Sequence, residues 1–419
     1  MNLKSRTTCR ICGSKNLTSI LNLGEQYFAN YSSKSNDVVP FKEKLPLELI
    51  RCDRSLDPKS CGLVQLRHTT PPNLMYERYF YRSGINQTMT NNLNEIVNQA
   101  ISKIDLQKND IIIDIGCNDG TLLQNYKDLS VRAIGFDPAK NMLQFSKQSG
   151  AKIITDFFNI DSFSNECGSE KAKIITSIAM FYDLEDPNSF VHDISEILDE
   201  DGVWILELSY LPLMLSQNAF DTIVHEHLEY FHLSVLEYLL SKHNLKVVDI
   251  FLNDINGGSF RVFVQHKSQS IALDSLKRIN EIQKNEKNLS LDTDKPFKEF
   301  IERIKLEKTK LLNFIIQEKQ NGKTIYGYGA STKGNTLLQF YGLNDKLIDA
   351  IADRNPDKWG RKTIGTNIDI ISEDDARSKK PDYFLILPWH FIKEFKIREK
   401  EFLNSGGHFL VPLPKFEII

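Results

Sequence analysis

Ten residues constrain this chain more than any others: Ile111-Ile-Ile-Asp-Ile-Gly-Cys-Asn-Asp-Gly120. A run of β-branched residues opens into a glycine turn, and Leu122, Leu123, Tyr126 and Leu129 follow at helical spacing. The local reading is strand, tight turn, helix. A second short strand, Val131 to Phe136, ends in Gly135-Phe-Asp137. Two neighbouring parallel strands of this kind hold a nucleoside at their carboxyl ends. Gly116 and Gly120 let the backbone approach the ligand, and Asp137 is placed to accept from both ribose hydroxyls.

Strands and helices continue to alternate. Ala151 to Asp156 reads as a third strand and Ala172 to Ile178 as a fourth, which runs into Met180-Phe-Tyr-Asp-Leu-Glu-Asp-Pro187. A helix over 188–198 precedes a fifth strand, Asp201 to Leu208, and a helix over 88–104 leads into the first. Such alternation implies a parallel, doubly wound α/β sheet. Lys246 to Leu252 and Ser259 to Gln265, joined through Asn256-Gly-Gly258, read as an antiparallel pair at its edge. A dinucleotide fold prefers Gly-x-Gly-x-x-Gly, whereas here Asn118 holds the second of those positions and Asp114 precedes the first glycine. The layout resembles the Rossmann-like S-adenosylmethionine methyltransferases. In that layout Asp156 and Phe157 flank the adenine, and the backbone of Ser177 to Met180, Ala179 included, floors the pocket. A sheet that binds no nucleotide is the plainer alternative.

The 419 residues suffice for two or three domains. A net charge of −3 without a basic face gives no reason to expect a nucleic-acid partner. No stretch of 18 uncharged apolar residues and no apolar segment behind Met1 point to a membrane, so a cytoplasmic location is expected. In that setting the six cysteines argue for metal or free thiols. Cys9-Arg-Ile-Cys12 followed by Gly13 has zinc-knuckle spacing, and Cys52 and Cys61 bring the set to four thiolates. Four charges with no open position make a structural zinc site. Four reduced thiols in a small core are the alternative. Cys117 and Cys167 have no partner motif.

Two further clusters carry chemistry. Met75-Tyr-Glu-Arg-Tyr-Phe-Tyr-Arg-Ser-Gly84 places four aromatics in six residues beside two arginines. They read as an aromatic wall facing a substrate, or as a segment packed against the next domain. Phe220-Asp-Thr-Ile-Val-His-Glu-His-Leu-Glu-Tyr-Phe-His232 follows the fifth strand at its ligand-binding end. His225, Glu226 and His227 are open to three readings: metal ligands, a general base tuned by a neighbouring carboxylate, or a structural cluster.

From Lys267 to Lys323 lysine and glutamate dominate. Phe297, Phe300, Ile301, Ile304, Leu311, Leu312 and Ile315 share one helical face, and Leu306 lies off it. This long amphipathic helix is expected to pack between two α/β units. Thr324-Ile-Tyr-Gly-Tyr-Gly-Ala-Ser-Thr-Lys-Gly334 then repeats strand, glycine turn and helix. Ser331, Thr332 and Lys333 at that helix start make an anion site for a phosphate. Strands at Leu347 to Ala352, Tyr383 to Leu387 and His408 to Pro412 complete a second Rossmann-like unit, with Trp389 beside the site. A scaffold that closes over the first unit is the alternative.

In order, the four cysteines, Asp114-Ile-Gly-Cys-Asn-Asp-Gly120, His225-Glu-His227, Asn256-Gly-Gly-Ser-Phe-Arg261 and Tyr328-Gly-Ala-Ser-Thr-Lys-Gly334 resemble the three-domain nucleotide-sugar C-methyltransferases of deoxysugar pathways. The resemblance covers nearly the whole chain. It implies a zinc-binding domain over 1–72, an S-adenosylmethionine domain over 73–266, a helical linker over 267–320 and a substrate-binding domain over 321–419. It also implies His227 as the base beside a 4-keto group, Glu226 as its partner, Tyr79 or Tyr81 as a substrate-contacting phenol, and Asn256 and Arg261 as substrate contacts. Three positions depart from the family pattern: Val224 stands where tyrosine is frequent, and Asp183 and Asn256 where histidine is. The expected activity is methyl transfer to carbon of a nucleotide-linked sugar. An O-methyltransferase, or a nucleotide-sugar-binding protein without catalysis, remains open, and the sequence does not fix the oligomeric state.

Overall fold

The structure, a computed structural model, describes residues 3–28, 32–33, 43–71, 75–76, 79 and 81–419. Of the aromatic stretch, Glu77, Arg78 and Phe80 lie outside the described residues. Strands β1 (Leu17–Gln26), β2 (Leu45–Cys52) and β3 (Val64–Leu66) form an antiparallel sheet next to the four cysteines. Leu45, Leu47 and Leu49 alternate inward along β2, the period of a half-buried strand.

Helix α1 (Gln87–Lys103) starts at Asn86, whose side chain accepts a hydrogen bond from the Met89 amide. It buries Leu93, Ile96, Val97 and Ala100 against the central sheet. That sheet contains β4 (Ile111–Ile115), β5 (Arg132–Phe136), β6 (Lys152–Ile154) and β7 (Ala172–Ile178). Helix α2 (Pro187–Ile197) leads into β8 (Leu198–Ser209). A two-residue strand, β9 (Glu229–Tyr230), leaves the central unit and pairs with β3, so it completes the amino-terminal sheet. The edge pair is β10 (Leu245–Asn253) and β11 (Ser259–His266). Spatial order is β10-β11-β8-β7-β4-β5-β6, parallel throughout except that β11 runs against both neighbours. Every residue of β4 is buried, which is why its sequence is an unbroken aliphatic run apart from Asp114.

Two stretches differ from the sequence expectation: the strand expected over Leu347 to Ala352 spans only Ile351–Asp353, behind a turn at 345–347, and the second follows Gly120. The apolar residues after Gly120 form a single 3-10 turn, Leu123–Tyr126, in place of a helix. The Leu129 amide already donates back to Tyr126 O, and the chain re-enters the sheet at Arg132, which leaves no length for further turns.

Two helices, α3 (Leu273–Asn288) and α4 (Lys295–Gln320), lead to the carboxy-terminal unit. Helix α4 buries Phe297, Phe300, Ile304, Leu311 and Ile315 and leaves Leu306 exposed, as its periodicity requires. This stripe shares one core with Leu21, Leu23 and Leu47 of the amino-terminal sheet and with the carboxy-terminal strands. The last unit holds β12 (Ile325–Tyr328), α5 (Thr332–Tyr341), β13 (Ile351–Asp353), β14 (Ile370–Ser372), β15 (Tyr383–Ile386), β16 (His408–Val411) and β17 (Glu417–Ile418). Its order is β14-β13-β12-β15-β16-β17, parallel but for β17. Among the described residues no helix is long and apolar enough to cross a membrane.

Candidate active site and metal centre

Cys9, Cys12, Cys52 and Cys61 bring their sulfurs within 4.8 Å of one another. Cys9 Sγ stands 3.4 Å from Cys61 Sγ and Cys12 Sγ 3.3 Å from Cys52 Sγ. Gly13, at φ +73°, turns the knuckle so that its amide donates to Cys9 O. Hydrogen bonds among the four sulfurs lower the Cys12 pKa and raise those of Cys9 and Cys61, so the cluster shares its protons unevenly. Four converging sulfurs of this kind fit one tetrahedral zinc ion. The eight residues between Cys52 and Cys61 are absorbed by a loop in which Arg54 donates to Ser60 O and Cys61 O. Among the described residues this is the one cluster with metal-ligand geometry.

A cavity of about 530 Å³ opens at the carboxyl ends of β4, β5 and β7, within the range of sites for small molecules. Its first half is built by the turn that the sequence singles out. Gly116 has φ +76°, and a Cβ there would stand 3.1 Å from Met180 Cγ, so only glycine keeps the backbone open to a ligand. Asp137 accepts the Asn118 and Ala139 amides at 2.8 Å each, which fixes its carboxylate in the wall. Burial raises its pKa, against those two amides. Asp114 accepts from Thr176 Oγ1 at 2.7 Å, and burial pushes its pKa up to about 7. Ala179 takes the left-handed conformation at φ +55°, with its amide bound to Glu207 O, and so turns the end of β7 into the cavity. Phe157 lines the mouth beside Tyr76. A fixed carboxylate between open glycine backbone and an aromatic face fits the ribose and base of S-adenosylmethionine.

The second half lies between units. Tyr76, Tyr79 and Tyr81 form one side, which places the described aromatics on the cavity. His227 forms another: its Nδ1 donates to Thr222 O at 2.7 Å, which leaves the Nε2 lone pair as its acceptor. Burial, then the Lys333 charge, lowers its pKa to about 3, so the ring is neutral at any physiological pH. His225, Glu226 and His227 lie on a turn rather than a helix. Ser331, Thr332 and Lys333 face the cavity from the start of α5, where Ser331 Oγ caps the helix by accepting from the Gly334 amide. Lys333 Nζ donates to Asn256 O.

Several residues expected at the site lie elsewhere. His225 stacks on Phe28 and bonds Leu45 O, so it joins the amino-terminal sheet to the central unit. Burial lowers its pKa to about 4. Arg261 lies within the sheet, where it donates to Glu207, Asn92, Glu95 and Gln99. Trp389 packs over Gly257 and donates to Asp221. Gly120 sits under Ser146, where a Cβ would meet backbone at 3.0 Å. Asp156 is exposed, with its carboxylate on the Phe157 amide. None of these five lines the cavity. Conversely Tyr182 and His390, which no sequence motif marks, do line it, and so does Asp183, one of the three departures from the family pattern. Each follows a strand's carboxyl end, β7 or β15, which is the signal that marks them in an α/β sheet.

Comparison with known proteins agrees with this architecture. Residues 9–76 match the model of a zinc binding domain, 84–250 that of a methyltransferase domain, and 254–414 that of a C-methyltransferase C-terminal domain. The chain is 30% identical to the C-methyltransferase NovU of Streptomyces niveus over 422 residues, covering 98% of this chain and 96% of that one. Among solved structures, an S-adenosylmethionine-dependent methyltransferase from Clostridium acetobutylicum aligns at 15% identity and TM-score 0.33, over 42% of this chain and 90% of that one. Magnesium protoporphyrin IX methyltransferase from Synechocystis aligns at 12% and 0.32, over 42% and 78%. Such partial likenesses add nothing to the assignment. The sequence-wide match and the three ordered domain models do: this chain belongs to the three-domain, S-adenosylmethionine-dependent C-methyltransferases, which carry an amino-terminal zinc-binding domain.

Proposed function

We propose that the enzyme methylates a carbon beside the carbonyl of a nucleotide-linked keto sugar, with His227 as general base. The observation that carries this reading is the committed tautomer of His227. With Nδ1–H on the Thr222 carbonyl, Nε2 is left as a neutral acceptor on the cavity that also holds the donor half. Bound there, S-adenosylmethionine supplies an electrophilic methyl group. A carbon beside a ketone becomes nucleophilic only when its proton is removed, so a positioned base has to face the same space as the methyl. Lys333 and the amino-terminal turn of α5, which also line the cavity, suit the diphosphate of a sugar nucleotide. The proposed role of Glu226 is to hold the acceptor beside His227, and that of Tyr79 and Tyr81 is to offer phenol hydroxyls to the sugar.

Incubation with methyl-labelled donor and a panel of keto and non-keto nucleoside-diphosphate hexoses tests this directly, with NMR locating the methyl. Carbon labelling of a keto sugar is expected. Labelling on oxygen, or of non-keto members alone, would replace this reading with an O-methyltransferase.

A further inference from the structure

We propose that Asp183 is a further catalytic residue, one whose carboxyl group donates a hydrogen bond to the acceptor oxygen on which charge develops during deprotonation. This rests on the ketone reading above.

Asp183 ends the one-turn helix Phe181–Asp183 that follows β7, and it lines the cavity. Its place relative to His227 is fixed. The Leu228 amide donates to Tyr182 O at 2.9 Å, and the Tyr182 ring stands 4.4 Å from the His227 ring. The wall carrying Asp183 and the wall carrying His227 therefore form one unit. Asp183 Oδ1 and the hydroxyl of Tyr76 are buried side by side on the cavity, close enough to interact with one another, and neither makes a well-formed hydrogen bond elsewhere in the protein. A buried pair with no other partner keeps hydrogen-bonding capacity that a ligand in the cavity can take up.

The titratable groups facing Asp183 are Tyr76, Tyr79, Tyr182, Tyr230, Glu226 and Glu229. These are phenols and carboxyls, with no cation among those described. Burial first, then the neighbouring Glu226, favour the neutral acid and, against the opposing hydrogen bond of Tyr76, raise its pKa well above the carboxylate range. A carboxylic acid kept neutral in a water-poor site, paired with a tyrosine, is suited to stabilise an enolate oxygen.

The step balances without further reactants. The C–H bond beside the carbonyl breaks, its proton goes to His227 Nε2, and its electron pair becomes the enolate double bond. The carbonyl π pair moves onto oxygen, which accepts from the Asp183 and Tyr76 O–H groups. As the carbon bonds to the methyl group, the carbonyl re-forms and the C–S pair stays on sulfur. His227 then yields its proton to solvent, and Asp183 keeps its own throughout.

The test is solvent exchange of the acceptor's α-proton in D2O, followed by NMR with S-adenosylhomocysteine bound and a panel of nucleoside-diphosphate keto-hexoses as probes. Asp183→Ala should slow exchange and methyl transfer by about 10²- to 10³-fold, the loss typical of one such donor, with KM nearly unchanged. Asp183→Asn, which keeps an N–H donor, should stay within about tenfold of wild type. The alkaline fall in rate as Asp183 ionises should be absent in Asp183→Asn. Retained S-adenosylhomocysteine affinity by calorimetry guards against misfolding. Wild-type exchange in Asp183→Ala overturns the proposal. So does Asp183→Asn as slow as Asp183→Ala, which would make the charge the active feature, as for a cationic acceptor. If the wild type exchanges no ketone and methylates hydroxyls, the ketone reading itself fails and the proposed role falls with it.

Discussion

Lys333 Nζ lies 2.6 Å from the carbonyl oxygen of Asn256, so the first turn of α5 is tied to the loop between β10 and β11 in the other α/β unit. Asn256 presents that carbonyl from a left-handed conformation at φ +55°. Asp221, which accepts from Trp389 on the carboxy-terminal side, stands close enough to oppose the burial that lowers the Lys333 pKa. The cavity is thus closed by contacts between units rather than by either alone.

Lys333→Met should weaken the sugar nucleotide far more than the donor. Loss of one charge facing a diphosphate is expected to cost at least about tenfold in acceptor affinity, or about 1.4 kcal/mol. Isothermal calorimetry with nucleoside diphosphate, and separately with S-adenosylhomocysteine, checks this. Equal losses for both ligands would mean that Lys333 only braces the two units.

His227→Gln should lower kcat by about 10²- to 10⁴-fold, the usual contribution of a positioned base, and leave donor affinity unchanged. The pH profile gives a second check. Because burial sets the folded pKa at about 3, below the ordinary 6.5, the wild-type rate should show no acid limb near pH 6.5. The same depression makes a stability contribution that is present above pH 6.5 and lost as pH falls toward 3. In urea titrations across that window, the wild type should lose stability relative to His227→Gln as the pH falls.

Asp114→Asn tests the sign in the other direction. A carboxyl raised to about 7 stabilises the folded state fully below its unfolded value near 4, and that stability is lost as pH rises to 7. Relative to wild type, the asparagine variant should therefore gain roughly 1.4 kcal/mol per pH unit over that interval. Thermal melts at three pH values suffice, and a gap that does not grow with pH would contradict the assignment.

Metal analysis should return one zinc per chain, and chelation should unfold the amino-terminal segment first. Its sheet is finished by β9, which follows His227 by two residues, so loss of zinc should also reduce activity. Emission spectrometry and circular dichroism before and after chelator treatment check both parts. Zinc near zero in active enzyme would rule the site out.

The strongest signals in the sequence were those that a short stretch contains whole. Ile111 to Gly120 with Asp137 fixed the strand, the turn and the carboxylate, because consecutive residues carry the pattern and β4 is buried on both faces. The α4 stripe, including the exposure of Leu306, was legible for the same reason. The helix expected after Gly120 was not formed, since apolar spacing cannot report how soon a chain must return to its sheet. The motifs point Arg261 and Trp389 at the substrate, yet each has a partner that only folding supplies: Glu207 for the first, Asp221 for the second.

What the sequence determined by itself is therefore local: the parallel sheets, the four thiolates, and the donor turn with its acid. The acceptor half is decided by tertiary structure, because its walls come from separate segments scattered along the chain from Tyr76 to His390. Tyr76, Asp183, His227, Lys333 and His390 meet at one cavity, and their burial there changes what each group can do. A histidine becomes neutral or an aspartate acidic according to what surrounds it, and the surroundings are not written next to either residue.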